Sequence, residues 1–158
     1  MKQYEKKYEI LKEELGEKGF DLEKIKNLLK AQVIELPSWA VGNSGTRYGT
    51  FKDKGAAVTI WDKIDDCAEI QRCLGITPVM ASHVCWDRTD DGRFGPVREY
   101  AEEKGMKIGT VHPNTFSGQE FRYGSMCSPL DWVREQTKEH FKDCVRMARE
   151  MGSRTIGM

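Results

Sequence analysis

Three times along the chain a short apolar run ends in a polar or aromatic cluster, crosses a loop into an amphipathic helix, and stops at a glycine. This repeat constrains the fold more than any single residue, because strands separated by helices pair in parallel, through right-handed crossovers that bury the apolar runs. In the first unit Val33-Ile34-Glu35-Leu36 is the strand and Pro37 to Thr46 the loop. A helix capped near Asp62 then turns Ile64, Cys67, Ile70 and Leu74 inward and ends at Gly75. The second strand follows Thr77-Pro78 and runs out in His83-Val84-Cys85-Trp86-Asp87. Its loop carries Asp90, Asp91 and Gly92, and its helix, with Pro96 in the first turn and Val97, Tyr100 and Ala101 on the apolar side, closes at Gly105. The third unit has Lys107 to His112 as strand, Pro113-Asn114-Thr115-Phe116 opening a long polar loop, and a helix begun by the box Ser128-Pro129-Leu130-Asp131. Leu130, Val133, Phe141, Cys144, Val145 and Ala148 form that helix's buried face. After Gly152, Arg154 to Met158 reads as the opening of a fourth strand, interrupted before its own polar cluster would arrive.

Two helices precede the repeat. Tyr4, Tyr8, Leu11 and Leu15 recur at helical spacing and predict a surface helix with one packed face; Asp21 offers the cap of a second, whose apolar side is Leu22, Ile25, Leu28 and Leu29. The chain thus divides into an N-terminal helical segment, 1–31, and an α/β region, 32–158. On its residues alone the α/β region is either the opening of a (β/α)₈ barrel or a small doubly wound sheet. Gly42-Asn43-Ser44-Gly45-Thr46 matches neither a GxGxxG nor a GK[ST] phosphate loop, and reads as a mobile or subunit-contact loop.

Charge narrows the partners. Lys and Arg number 25 and so do Asp and Glu, so there is no electrostatic case for nucleic acid or an anionic membrane, and a small neutral partner is expected. The charged N-terminus lacks the apolar core of a signal peptide, and no run approaches the ~18 apolar residues of a membrane span. Five cysteines, odd in number and never spaced CxxC, support neither a zinc site nor a disulfide framework, and point to a reducing cytoplasm.

The residues at the strand ends are Trp39 from the first, His83, Trp86 and Asp87 from the second, and Asn114 and Phe116 from the third. Aromatic rings cover the C–H faces of a sugar, while imidazole and carboxylate groups address its hydroxyls, so this set suits a small polyol. His112, beside Pro113, falls behind this set, and His140 reads as surface or packing. Asp87 has plainer roles open to it, capping a backbone end or pairing with Arg88 or a nearby lysine.

Leu36-Pro37-Ser38-Trp39-Ala40-Val41-Gly42 with Gly45-Thr46-Arg47-Tyr48, the segment Trp61 to Cys67, the His83 to Asp87 cluster, and Asn114-Thr115-Phe116-Ser117 with Tyr123-Gly124-Ser125 together resemble the N-terminal part of the bacterial L-rhamnose isomerases of broad sugar specificity. That family is similar to xylose isomerase in fold. The resemblance implies N-terminal helices followed by the first three βα units and the start of strand four of a (β/α)₈ TIM barrel, incomplete. It implies aldose–ketose isomerisation with two divalent metals, usually Mn²⁺, whose ligands lie on later strands, so that no metal residue is assigned here and none is expected to be bound. It implies that His83 contacts the sugar oxygen and assists ring opening, and that Trp39, Trp86 and Phe116 wall the pocket. Tyr48 takes the place of a phenylalanine that reaches into a neighbouring subunit's site. The expectation is a portion of a sugar isomerase, inactive alone, that forms a family-like homo-oligomer or associates with a full-length isomerase. The competing expectation is a non-enzymatic sugar-binding or assembly fragment docking on such an isomerase through Gly42 to Thr46 and Tyr48.

Overall fold

The computed structural model describes residues 3–43, 45, 46 and 49–158, which divide into two units, Met1–Val33 and Ile34–Met158. In the first, α1 (Gln3–Glu17) and α2 (Leu22–Lys30) follow the predicted periodicity, and Asp21 caps α2 by accepting the Lys24 N–H at 2.9 Å. The packed face expected of α1 does not form: neither helix buries a residue, and Leu11, Leu28 and Leu29 stay exposed. The two helices touch through polar groups instead. The Tyr8 hydroxyl donates to Glu23 at 3.2 Å, and the Lys26 ammonium stands 4.0 Å over the Tyr8 ring while pairing with Glu23.

The second unit is built on a parallel sheet of β1 (Glu35–Pro37), β4 (Val79–His83) and β5 (Lys107–His112), in the order β1-β4-β5. A two-stranded antiparallel ribbon, β2 (Gly45–Thr46) and β3 (Gly49–Thr50), follows β1. The crossovers are α3 (Ile60–Leu74) and α4 (Gly95–Glu103), and α5 (Asp131–Glu150) follows β5. Ile60, Ile64 and Cys67 of α3, Val97 and Ala101 of α4, and Cys144, Met147 and Ala148 of α5 enclose Met80, Ile108 and Val111 of the sheet in one core. The three helices end as the repeat predicts. Gly75, Gly105 and Gly152 adopt φ of 74°, 72° and 74°, a left-handed conformation costly for a side chain, and just beyond the latter two Met106 and Ser153 donate back to Ala101 and Ala148 at 2.8 Å.

The incomplete TIM barrel is not what the chain forms. Its described strands make a small open sheet of three parallel members and a separate two-stranded ribbon, with Ile156 adding one parallel bridge to Val111. The repeat of strand and helix dictates parallel pairing and crossover, and these are found; strand number, tilt and closure depend on shear around a whole sheet, which a local repeat does not encode. Details of the units are corrected too. The first strand begins at Glu35, leaving Val33 and Ile34 exposed. Helix α3 starts two residues before Asp62, because Thr59 is its cap: Thr59 Oγ1 accepts the Asp62 N–H at 3.2 Å and Asp62 accepts the Thr59 N–H at 2.9 Å. Ser128 does not cap α5 in the expected box. It accepts the Leu130 N–H at 3.3 Å, the helix begins at Asp131, and the inward face runs through Val133, Thr137, Cys144, Met147 and Ala148, with Leu130 and Val145 exposed.

One irregularity in the sheet serves the site. Met80 pairs with Ile108 but Ser82 with Val111, so β5 carries one extra residue and His83 comes level with His112. At the slip the Thr110 N–H turns to the Glu35 carboxylate at 2.9 Å. Gly109 leaves room for that reach, since a Cβ there would stand 2.1 Å from the same oxygen.

Candidate functional site

The carboxyl ends of β1, β4 and β5 bring five rings together. Trp39, on the 3₁₀ turn Ser38–Ala40 that follows β1, meets His83 edge-on at 5.7 Å between centroids and His112 edge-on at 5.3 Å. His83 lies 4.3 Å from Trp86, 5.5 Å from Phe116 and 6.3 Å from His112, to which it is parallel within 3°. Of the residues named from sequence, Trp39, His83, Trp86 and Phe116 are therefore joined in one cluster, Trp39 and Phe116 each meeting both His83 and Trp86. His112 is a member of this cluster rather than a layer behind it; the signal that pointed to it was its place beside Pro113 at a strand end. Tyr48, with Ser44 and Arg47, lies outside the described residues.

His83 is almost wholly buried, 6% exposed, and burial pushes its imidazole down to about 4 against the pull of Asp87, with His112, Lys63 and His140 also opposing its protonation. The ring is neutral at pH 7, and its tautomer follows from its partner: Nδ1 accepts the Cys85 N–H at 3.2 Å, so Nε2 carries the proton and is the donor. Asn114 is spent on structure. Its side-chain oxygen accepts from the Ser117 backbone at 3.2 Å and hydroxyl at 2.8 Å, fixing the loop that presents Phe116, and its N–H donates to His140 Nε2 at 2.9 Å. Burial likewise lowers the His140 imidazole, in keeping with a nitrogen that accepts.

Beneath the rings lies a feature the sequence did not announce. Lys63 of α3 and Asp87 are buried to 1% and 0% side-chain exposure and pair at 2.6 Å. Asp87 also accepts the Ser38 hydroxyl and, at 2.7 Å, the His83 backbone N–H, while Lys63 reaches the Trp86 carbonyl at 3.4 Å. Lys63 lies one residue before Ile64 on the inward face of α3, so helical spacing allowed for it, but an ammonium inside a core is the exception to the rule that pattern expresses. Its stem runs over Gly42, where a Cβ would stand 2.5 Å from Lys63 Cε and 3.0 Å from the Ala57 carbonyl. Gly42→Ala is expected to cost about 1–3 kcal/mol by overpacking, because the ion pair prevents Lys63 from swinging aside. Thermal denaturation of the variant checks this, and an unchanged melting temperature would show the stem to be free.

The donor set does not fit a divalent cation. Asp87 is committed to an ammonium and two N–H or O–H donors, His83 Nδ1 to a backbone N–H, and among the described residues no three His, Cys, Asp or Glu side chains converge as metal ligands. Next to the rings, Val84, Cys85, Arg88, Asn114, Glu120, Phe121, Gln136 and His140 line a cleft of about 360 Å³. A larger cavity, about 570 Å³, lies at the other end of β5 among Arg98, Glu102, Lys107, Arg149 and Arg154. It has the greater volume, but of the two only the first cleft has ring side chains, Phe121 and His140, in its lining; none of the five clustered rings lines it.

Fold and site together define an α/β protein whose aromatic, imidazole-bearing cluster sits at the carboxyl end of a small parallel sheet. No family model matches the chain. It is 33% identical over 154 residues to a probable sugar isomerase of Rhizobium meliloti, an overlap of 94% of this chain and 35% of that protein. A probable sugar isomerase of Mesorhizobium japonicum is 30% identical over 157 residues, 96% of this chain and 36% of that protein. The chain thus spans about a third of the length of the curated relatives it matches, and the likeness supports a sugar-isomerase family without singling out one sugar. No helix among the described residues is long and apolar enough to cross a membrane.

Proposed function

We propose that the chain forms the sugar-binding portion of a metal-dependent aldose–ketose isomerase acting on L-rhamnose or a related sugar in the cytoplasm. The observation that carries this reading is the joining of Trp39, His83, Trp86 and Phe116 in one cluster at the sheet's carboxyl end, in a chain whose relatives are named probable sugar isomerases. Trp39, Trp86 and Phe116 cover the apolar face of the sugar, where flat rings give large contact at little entropic cost. The neutral Nε2–H of His83 hydrogen-bonds a sugar oxygen and draws charge from it as the ring opens. Isomerisation further needs hydrogen moved between C1 and C2 and charge balanced on both oxygens. The described residues are assigned neither task, so the chain alone is expected to bind sugar and not to convert it. A longer isomerase chain, or a second copy, is the expected partner: β1 is hydrogen-bonded only to β4 among the described strands, and a free strand edge pairs readily with another chain.

Titration with L-rhamnose is expected to change tryptophan fluorescence saturably, with Kd in about the millimolar range, and Phe116→Ala to weaken binding about tenfold. Ketose assay of the same mixture with Mn²⁺ is expected to stay blank. No saturable change with any aldose or ketose would overturn the proposal, and turnover by the isolated chain would overturn the partial role.

A further inference from the structure

Beyond the aromatic wall, the buried charge pair has a place in the site that packing alone does not explain. The β1–β4 ladder stops at Pro37 opposite Ala81, so past that point backbone pairing no longer holds the turn carrying Trp39 against the turn carrying His83 and Trp86. Asp87 takes over. One carboxylate oxygen receives the Ser38 hydroxyl from the first turn and the His83 N–H from the second, and the other receives the Lys63 ammonium. The same ammonium reaches the Trp86 carbonyl, and its stem is confined by Gly42, which bridges to Ala57. As a charge pair alone, Lys63–Asp87 is weak grounds for stability, since burying two charges costs about what their attraction returns and apolar side chains fill such a volume as well. What apolar groups cannot do is accept from Ser38 and from the His83 backbone at once.

We propose that Lys63, acting through Asp87, is the positioning residue of the sugar site, holding the Trp39 turn and the His83–Trp86 turn in the single arrangement that makes the aromatic wall. Lys63 does not touch the sugar. The role rests on the sugar-pocket reading for its use, while its geometric content stands apart from that reading.

The test compares wild type, Lys63→Met, and the double variant Lys63→Met/Asp87→Leu, with L-rhamnose as probe. In the double variant both charges leave together, so it is expected to melt closer to wild type than Lys63→Met does, below wild type by what the unpaired Ser38 hydroxyl and His83 N–H cost, while sugar affinity falls about tenfold because the preorganised wall is lost. NMR contacts between the Trp39 ring and the His83 and Trp86 rings are expected to weaken in parallel. In the single variant Asp87 is left without its cation, and the His83 imidazole is expected to titrate higher than in wild type, as removal of Lys63 removes one opponent of its protonation. A double variant that binds L-rhamnose as wild type does and keeps its ring contacts would overturn the proposal. If wild-type protein binds no sugar, the pocket reading fails. The ring contacts then decide the positioning role: their loss in the double variant sustains it, and their retention sinks it.

Discussion

Lys63→Ala is expected to cost the fold about 3–5 kcal/mol, because it leaves the Asp87 carboxylate buried beside two donors but without a cation. Lys63 and Asp87 expose 1% and 0% of their side chains, so water does not replace the ammonium without opening the core. Truncation also empties the volume of a long side chain beside Ile60, Ile64 and Cys67, which adds a cavity to the uncompensated charge. Against a typical total of about 5–15 kcal/mol for a domain, the loss brings the protein close to unfolding. The contrast with the chain's other ion pairs is sharp: Arg72–Glu69 and Arg98–Glu102 lie on exposed helix faces, screened by solvent, and alanine at either arginine is expected to leave stability nearly unchanged. Denaturant unfolding of the three variants checks the ordering. A Lys63→Ala midpoint equal to that of Arg72→Ala would mean that Asp87 finds another partner or water.

That pair also marks where the sequence stops being legible. The strand–helix–glycine repeat encodes parallel pairing, the crossover helices and their terminal glycines, because each follows from local periodicity and backbone conformation; α4 opens with Pro96 near its start as read, whereas β4 ends at His83, short of the 79–87 span expected of it. Trp39, His83, Trp86 and Phe116 were legible as a group because parallel strands deliver their carboxyl ends to one side. Closure into a barrel was not, since nothing in a three-strand stretch fixes shear or strand number. Lys63 was not legible either: its apolar stem satisfies helical spacing, and its partner lies 24 residues away on the far side of a crossover. Asp87 was open to such a pairing, but the sequence could not say which lysine. The exposure of α1 and α2 has the same origin, because amphipathic spacing specifies which face would pack and not whether anything packs there.

Acidification from pH 7 to pH 4 is expected to remove about 3 kcal/mol of stability through His83 alone. Burial holds the native imidazole at about 4, against an ordinary value of 6.5 in an unfolded chain. Between these values the unfolded state binds more protons than the native state. Stability from this residue is therefore complete above pH 6.5, declines as pH falls through the window, and is gone below about 4. The structural cause is specific: protonation would force a second N–H onto Nδ1, which already accepts from Cys85, and would place a cation in a ring cluster with Lys63 close behind. His83→Gln retains a polar side chain that does not titrate, and His140, whose imidazole is also lowered, is common to both proteins, so the difference between their unfolding free energies isolates His83. That difference is expected to be constant above pH 7 and to shift steadily against wild type on acidification. Parallel profiles for the two proteins across pH 4–7 would show that the native imidazole takes up its proton as an unfolded histidine does, so that burial and the Cys85 N–H do not hold His83 neutral.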